Sequence, residues 1–419
     1  MEIWGGLECT INRVGDSYMD QLDFAGHYQR SGDIDAVAGL GIKRLRYPVL
    51  WERHANPEAP GRWEFCRRAL ERLRALGVDP IVGLVHHGSG PPSTNLLDPQ
   101  FPQKLASYAS EVAREFPWVR AYTPVNEPLT TARFSGLYGH WYPHAADPAS
   151  FATALLHQCR AVALAMKAVR KVNPNAELVL TDDLGHARSM PSLRYQADFE
   201  NERRWLSYDL LFGRVNRGHP MWSILRKAAD GDRLLGLMQD EPCPPDVLGF
   251  NYYVTSERFL DNRLDRYPAS AYGGNGKDTY VDLEAVRVCP DGLIGARELL
   301  NQAWRRFQSP IALTEVHLGC TEDEQIRWLR DVFQGAQKSR EDGANIIALT
   351  AWALLGSYDW HTLVTRREGV YEPGVFEIRN GALQEREVSA YVRALARGEF
   401  RDHPLAAGPG WWDADSRLV

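Results

Sequence analysis

Ala121-Tyr122-Thr123-Pro124-Val125-Asn126-Glu127 is a short, largely apolar run that closes on a carboxylate. Pro310-Ile311-Ala312-Leu313-Thr314-Glu315 repeats that design far downstream. Runs this apolar do not suit a half-exposed strand; they read as parallel strands buried on both faces. The same reading gives strands at Glu2–Leu7, Ile42–Tyr47, Pro80–His86, Glu177–Thr181, Val247–Asn251 and Ile346–Trp352. With Ala121–Asn126 and Ile311–Glu315 they number eight.

Helical patterns fill the gaps. Glu64–Leu76 carries apolar residues at helical spacing and stops at Gly77, a common C-terminal signal. Phe101–Phe116 follows the third strand, and the Ala-rich Pro148–Val172 follows the fourth. Leu293–Phe307, Glu322–Ser339 and Val388–Ala396 complete the set, with Thr321 expected as an N-cap ahead of acidic first-turn residues. Strand–helix alternation repeated eight times predicts a single-domain α/β fold, the (β/α)8 or TIM barrel. A doubly wound open sheet is the alternative, but Gly5-Gly6 lacks the GxGxxG spacing of a phosphate loop. The barrel domain is expected over residues 1–396. Residues 397–419, with Trp411-Trp412, are expected to pack on it as a C-terminal tail or to be partly disordered. Tyr267–Gly276 reads as a loop.

Composition narrows the function classes. The chain has 419 residues, 44% hydrophobic and 24% charged, with a net charge of −6. No basic stripe with interleaved aromatics speaks for nucleic acid. No apolar run reaches the roughly 18 residues of a membrane span. The start, Met1-Glu2-Ile3-Trp4-Gly5-Gly6, has no basic n-region or apolar h-region. Six scattered cysteines without a CxxC read as reduced thiols, so a cytoplasmic location is expected.

In a parallel barrel the residues at strand C-terminal ends build the site, which places Glu127 and Glu315 on one rim. Two carboxylates facing one pocket can act as proton donor and nucleophile at a glycosidic bond. His86 and His87 beside an acid could suggest a metal, but neighbours on a strand diverge and no HExxH or Cys/His cluster accompanies them. No metal or cofactor is expected. By the same alternation His87 is expected to point away from His86, into packing.

Longer motifs carry a resemblance. Thr123-Pro124-Val125-Asn126-Glu127-Pro128 resembles the Asn-Glu-Pro signature of glycoside hydrolase family 1, and Leu313-Thr314-Glu315 resembles its nucleophile motif. Arg44-Leu45-Arg46-Tyr47-Pro48, Gly83-Leu84-Val85-His86, Asp246-Val247-Leu248-Gly249-Phe250-Asn251-Tyr252-Tyr253 and Ala351-Trp352-Ala353-Leu354-Leu355 are similar to further family segments in the same order. The resemblance implies a retaining β-glycosidase acting on a small-molecule β-glycoside, with Glu315 as nucleophile and Glu127 as acid/base. It implies supporting roles for Arg46 beside Glu315, for Tyr253 as a donor to the same carboxylate and for Asn126 as a contact to the sugar 2-hydroxyl. It also implies sugar contacts from His86, Asn251, Trp352, Asp359 and Trp360.

The chain departs from the pattern around the sugar pocket. Glu8 or Asn12 stands near the place of a family Gln, and Asp359 stands where a Glu is usual. Val316-His317 replaces Asn-Gly after the nucleophile, and Asp183 adds a carboxylate to the rim. These changes imply retained cleavage chemistry with altered sugar recognition. A transglycosidase using the same intermediate and a catalytically silent sugar-binding or pathway-partner domain are the competing readings. The oligomeric state is open at this level.

Overall fold

A computed structural model describes residues 1–399 and 403–418. Eight parallel strands close into a barrel: β1 (Glu2–Gly6), β2 (Arg44–Pro48), β3 (Asp79–Gly83), β4 (Ala121–Thr123), β5 (Glu177–Asp183), β6 (Val247–Tyr252), β7 (Ile311–Val316) and β8 (Ile346–Ala351). Sequence neighbours pair around the ring, and β1 closes it between β2 and β8. The expected single-domain TIM barrel is the fold that forms.

Its interior floor is a layer made of Trp4, Ile81, Ala121, Val179, Val247, Ala312 and Ala348, contributed by seven of the strands. Side chains of this kind plug the barrel, so a ligand can enter only from a rim. A second, larger apolar layer lies between the strands and the surrounding helices. Both strand faces are therefore buried, which is why the strands read as unbroken apolar runs rather than alternating ones.

The helices used below are α1 (Glu64–Ala75), α2 (Phe101–Glu115), α3 (Pro148–Val169), α4 (Gly295–Phe307), α5 (Glu322–Glu341) and α6 (Glu387–Ala396). Helix α3 starts with Asp147 accepting from the amides of Ala149 and Ser150, both at 2.9 Å, and with Pro148 in its first turn. Both devices suit the unpaired donors of a helix start. Thr321 does sit at the N-cap of α5, but its hydroxyl donates to Asp323 at 2.6 Å instead of accepting from the helix. Three acidic residues in that first turn supply the favourable charge.

Two strand boundaries move in a way that matters for the site. The third strand stops at Gly83, short of His86, and the fourth stops at Thr123, before Pro124. Proline lacks the N–H a ladder needs. Beyond both ends single bridges, His86 to Asn126 and Asn126 to Thr181, carry the pairing on to the rim. The stretch 267–276, expected as a loop, contains a short turn at Ala269–Ala271 and a strand at Gly273–Gly274. That strand edges a four-stranded sheet with Thr279–Glu284, Glu257–Asp261 and His186–Ser189.

The described part of the tail lies against α5. Trp412 is buried with its ring edge-on to Trp328 at 5.1 Å, and its indole N–H donates to Asp331 at 3.1 Å. Arg417 donates to the carbonyls of Cys289 and Pro290 at 3.0 and 2.8 Å. Residues 400–402 and 419 of the expected tail lie outside the described residues.

Candidate active site

A cavity of about 780 Å³ opens at the C-terminal rim of the strands, and Glu127 and Glu315 both line it. Glu315 lies in β7 at an irregularity of register that follows Leu313. Glu127 follows β4 and adopts a left-handed backbone, φ +47° and ψ 66°. A non-glycine residue held there stores strain of order 1–3 kcal/mol. The short helix Pro128–Ala132 starts at that point, and Glu127 does not cap it. Asp182 does so from β5, accepting from the Leu129 amide at 3.0 Å and from Ser207 at 2.6 Å. The Glu127 carboxyl is thereby left to the cavity.

The two carboxylates have different surroundings. Glu315 accepts from Arg46 at 2.8 Å on one oxygen and from the Tyr253 hydroxyl at 2.5 Å on the other. Burial raises its pKa, while Arg46 and Tyr253 oppose the rise. Among the described residues Glu127 has no cation partner of that kind. It accepts from the Asn251 amide at 2.6 Å, and its other oxygen is 3.6 Å from His87 Nε2. Burial, then the charge of Glu315, then Asp182 and Asp183 hold Glu127 well above the usual carboxylate range. The environment thus favours the ionised form more at Glu315 than at Glu127.

Asn126 is the hub behind the pair. Its carbonyl oxygen accepts from Arg46 at 2.6 Å and from Thr181 at 2.8 Å. That fixes its amide nitrogen toward Nε2 of His86 at 3.2 Å and of His87 at 3.3 Å. Both imidazoles must then accept at Nε2 and carry their proton on Nδ1, and His87 Nδ1 can donate to Thr131 at 3.0 Å. Burial drives His86 well below its usual pKa and His87 down to about 3, so both are neutral.

The structure sorts the expected site residues. Glu127, Glu315, Tyr253, Trp352, Trp360, Glu8, Asp183 and His317 line the cavity. Arg46 reaches Glu315 from below. Asn251 spends its amide on Glu127 and its oxygen on Thr314 at 2.7 Å, so it positions the acid instead of facing a ligand.

Four expectations are corrected. Asp359 is not a cavity carboxylate: one oxygen accepts from Val370 N at 2.8 Å and the other from Glu368 N and Gly369 N at 3.0 Å, bracing a loop. Asn12 is buried and donates to the Val364 carbonyl at 2.9 Å, so of the two alternatives only Glu8 reaches the cavity. Asn126 is consumed by the hub just described. His86 lies outside the cavity walls, stacked on Trp352 at 5.7 Å, whereas His87 lines them. The reason is backbone: His87 has φ +53°, which ends strand alternation and turns its ring inward.

Sequence reasoning missed His87, Trp141, Arg133 and Glu372 in the cavity wall. Glu372 pairs with His317 at 2.5 Å, a contact between distant segments that no local pattern announces. Glu8 accepts from Thr10 N at 2.9 Å and lies 4.0 Å from His86. Burial, then the charge of Glu315, pushes Glu8 up to about 7.

Residues 10–373 match the model of Glycosyl hydrolase family 1. The chain belongs to that family. Among its relatives is a bifunctional β-D-glucosidase/β-D-fucosidase of Bifidobacterium breve, 25% identical, with 88% of this chain and 87% of that protein covered. A 6-phospho-β-glucosidase of Dickeya chrysanthemi is also 25% identical, over 82% of this chain and 79% of that one. A family 1 β-glucosidase structure from Thermotoga maritima superposes with a TM-score of 0.76 at 16% identity, covering 96% of this chain and 98% of the other. That likeness speaks for the fold alone. Glu315 lies in the seventh strand of the barrel, and Glu127 follows the fourth.

Proposed function

We propose that the protein is a retaining β-glycosidase that cleaves a small-molecule β-glycoside by double displacement. Glu315 attacks the anomeric carbon while Glu127 passes its proton to the leaving oxygen. The glycosyl-enzyme is then hydrolysed as Glu127 takes a proton from water. The observation that carries this reading is the asymmetry of the buried pair: Arg46 and Tyr253 serve Glu315 alone. Family membership and the β-glycosidase names of the relatives support it.

Trp352 and Trp360 supply the apolar wall against which a sugar ring can lie. The indole N–H of Trp360 is buried and has no acceptor among the described residues. Glu8 and the His317–Glu372 pair stand at the same wall in place of the displaced Asp359. Polar groups set for particular hydroxyls discriminate strongly against mismatched sugars, so the glycone preferred here differs from that of the relatives.

The test is a panel of aryl β-glycosides offered to wild type and Glu315→Ala. Turnover by wild type, its loss in the variant and its partial return with azide or formate are expected. Azide then adds from the face that Glu315 vacates. A variant as active as wild type would remove Glu315 from the mechanism.

A further inference from the structure

The cavity is not uniform around its mouth. Glu8, Glu315, Trp352 and Trp360 come from β7 and the segments after β1 and β8. Its arginines come from the other side, after β4, β5 and β6, where Glu127, Asp183, Glu200, Asp282 and Glu284 also line the wall. Arg133 opens the turn that directly continues the helix begun at Glu127. Glu127 is the proton donor to the leaving oxygen in the reading above, on which this inference rests. Groups on its side of the cavity therefore face the aglycone.

The guanidinium of Arg133 is not paired directly with an acid. Arg133 touches only the Tyr138 hydroxyl, at 3.3 and 3.4 Å, and has no carboxylate oxygen within 4 Å among the described residues. Arg204, 9% exposed, donates to the Gly185 carbonyl and the Gln302 side chain at 2.5 Å and leaves its Nε without a partner. Arg203 is buried, with Glu200 no nearer than 3.9 Å. Arg258, by contrast, is paired with Asp282 at 2.9 Å. Glu200 and Asp183 act on Arg133, and Asp183 on Arg204, without a direct ion pair, and burial pushes Asp183 up to about 7. Tyr138 registers the resulting field: burial acts to raise its phenol, yet Arg133 and Arg203 bring it below its ordinary value.

We propose that the aglycone side of this cavity receives an anionic group, a carboxylate or a phosphate, held by the Arg133 guanidinium with Arg203 and Arg204 behind it. A planar fork matches both anions bidentately. Such a site makes the natural substrate a β-glycoside of an acidic alcohol, phenol or phosphate ester.

Calorimetry on wild type at about pH 5, where the nitrophenol hydroxyls stay protonated and the carboxylate is ionised, compares 5-hydroxy-2-nitrobenzoate, its neutral methyl ester, and phenyl phosphate. The anions should bind at least tenfold tighter than the ester, with the gap narrowing as salt rises, since exposed-charge attraction is screened. The gap should shrink at least tenfold in Arg133→Gln and less in Arg133→Lys. The β-glycosides of the same nitrobenzoate and ester give the matching ratio of kcat/KM in wild type and variant, which cancels leaving-group reactivity. The tighter of the carboxylate and phosphate probes names the anion. Equal binding of anion and ester in wild type, or a preference that Arg133→Gln leaves intact, overturns the proposal. Anion-selective binding with no glycoside turned over would leave the anion site standing and remove the glycosidase reading.

Discussion

Tyr253 and Arg46 divide one task between them at the residue scale. Each donates to a different oxygen of Glu315, at 2.5 and 2.8 Å, and each opposes the rise in pKa that burial imposes. A hydrogen bond to a charged group contributes about 1.5–3 kcal/mol. Tyr253→Phe removes one such bond and leaves the ring. Glu315 then ionises at a higher pH. The acid limb of the kcat/KM profile should move upward, with the plateau down by roughly 10–100-fold. The basic limb, set by Glu127, should stay near its wild-type position. A profile of unchanged shape would separate Tyr253 from the ionisation of Glu315. The positioning of Glu127 is less local: Asn251 touches it from β6, and Asp182 from β5 secures the helix it begins.

Elements set how closely these residues can gather. Strand β1 ends in Gly6, where a Cβ would come within 2.5 Å of the Trp352 ring. Trp352 cannot retreat, because His86 stacks on it at 5.7 Å and the Arg46 guanidinium lies 4.8 Å from its ring centre. Gly6→Ala is therefore expected to destabilise the fold by about 1–3 kcal/mol and to lower kcat/KM at least tenfold by shifting the indole; thermal unfolding and kinetics that match wild type would deny the close packing. This contact also marks what the sequence could convey. All eight strands were legible, because burial on both faces leaves an apolar run that needs no knowledge of partners. Glu127 and Glu315 were legible because they end such runs. His87 was misread since its +53° φ breaks the alternation on which the reading relied. Asp359 was misread because its carboxylate is satisfied by amides at 368–370, and motif likeness says nothing of where a side chain's bonds go. Arg133 drew no notice, as its importance lies in the carboxylate it lacks.

Across the whole molecule the rim acids make stability depend on pH in an uncommon direction. Burial pushes Glu8, Glu52 and Asp183 each up to about 7, and raises Glu127 and Asp182 as well. A carboxyl whose folded pKa lies above its unfolded one binds more protons in the native state. Its neutral form is favoured by the fold at low pH, and stability declines as pH rises toward the folded pKa. Acids paired with arginine work oppositely: Arg263 holds Asp261, and Arg297 holds Asp342, at about 2, so their contribution is lost only as pH falls toward that value. The two sets together place maximum stability at about pH 5, on the acid side of neutrality. Glu52 isolates the effect, since it lies outside the cavity wall, with Gly90 N donating to one oxygen at 3.0 Å and the other oxygen buried and unpartnered among the described residues. Glu52→Gln keeps the acceptor and resembles the protonated acid. Denaturant unfolding from pH 5 to 8.5 should show wild type losing stability across that range. The variant should lose less, gaining up to about 3 kcal/mol on wild type at the alkaline end relative to pH 5. Parallel pH profiles for the two proteins would mean that Glu52 is already ionised in the fold. The same acid-side optimum keeps Glu127 protonated, so the conditions that favour the folded rim also favour the proton donor the proposed cleavage requires.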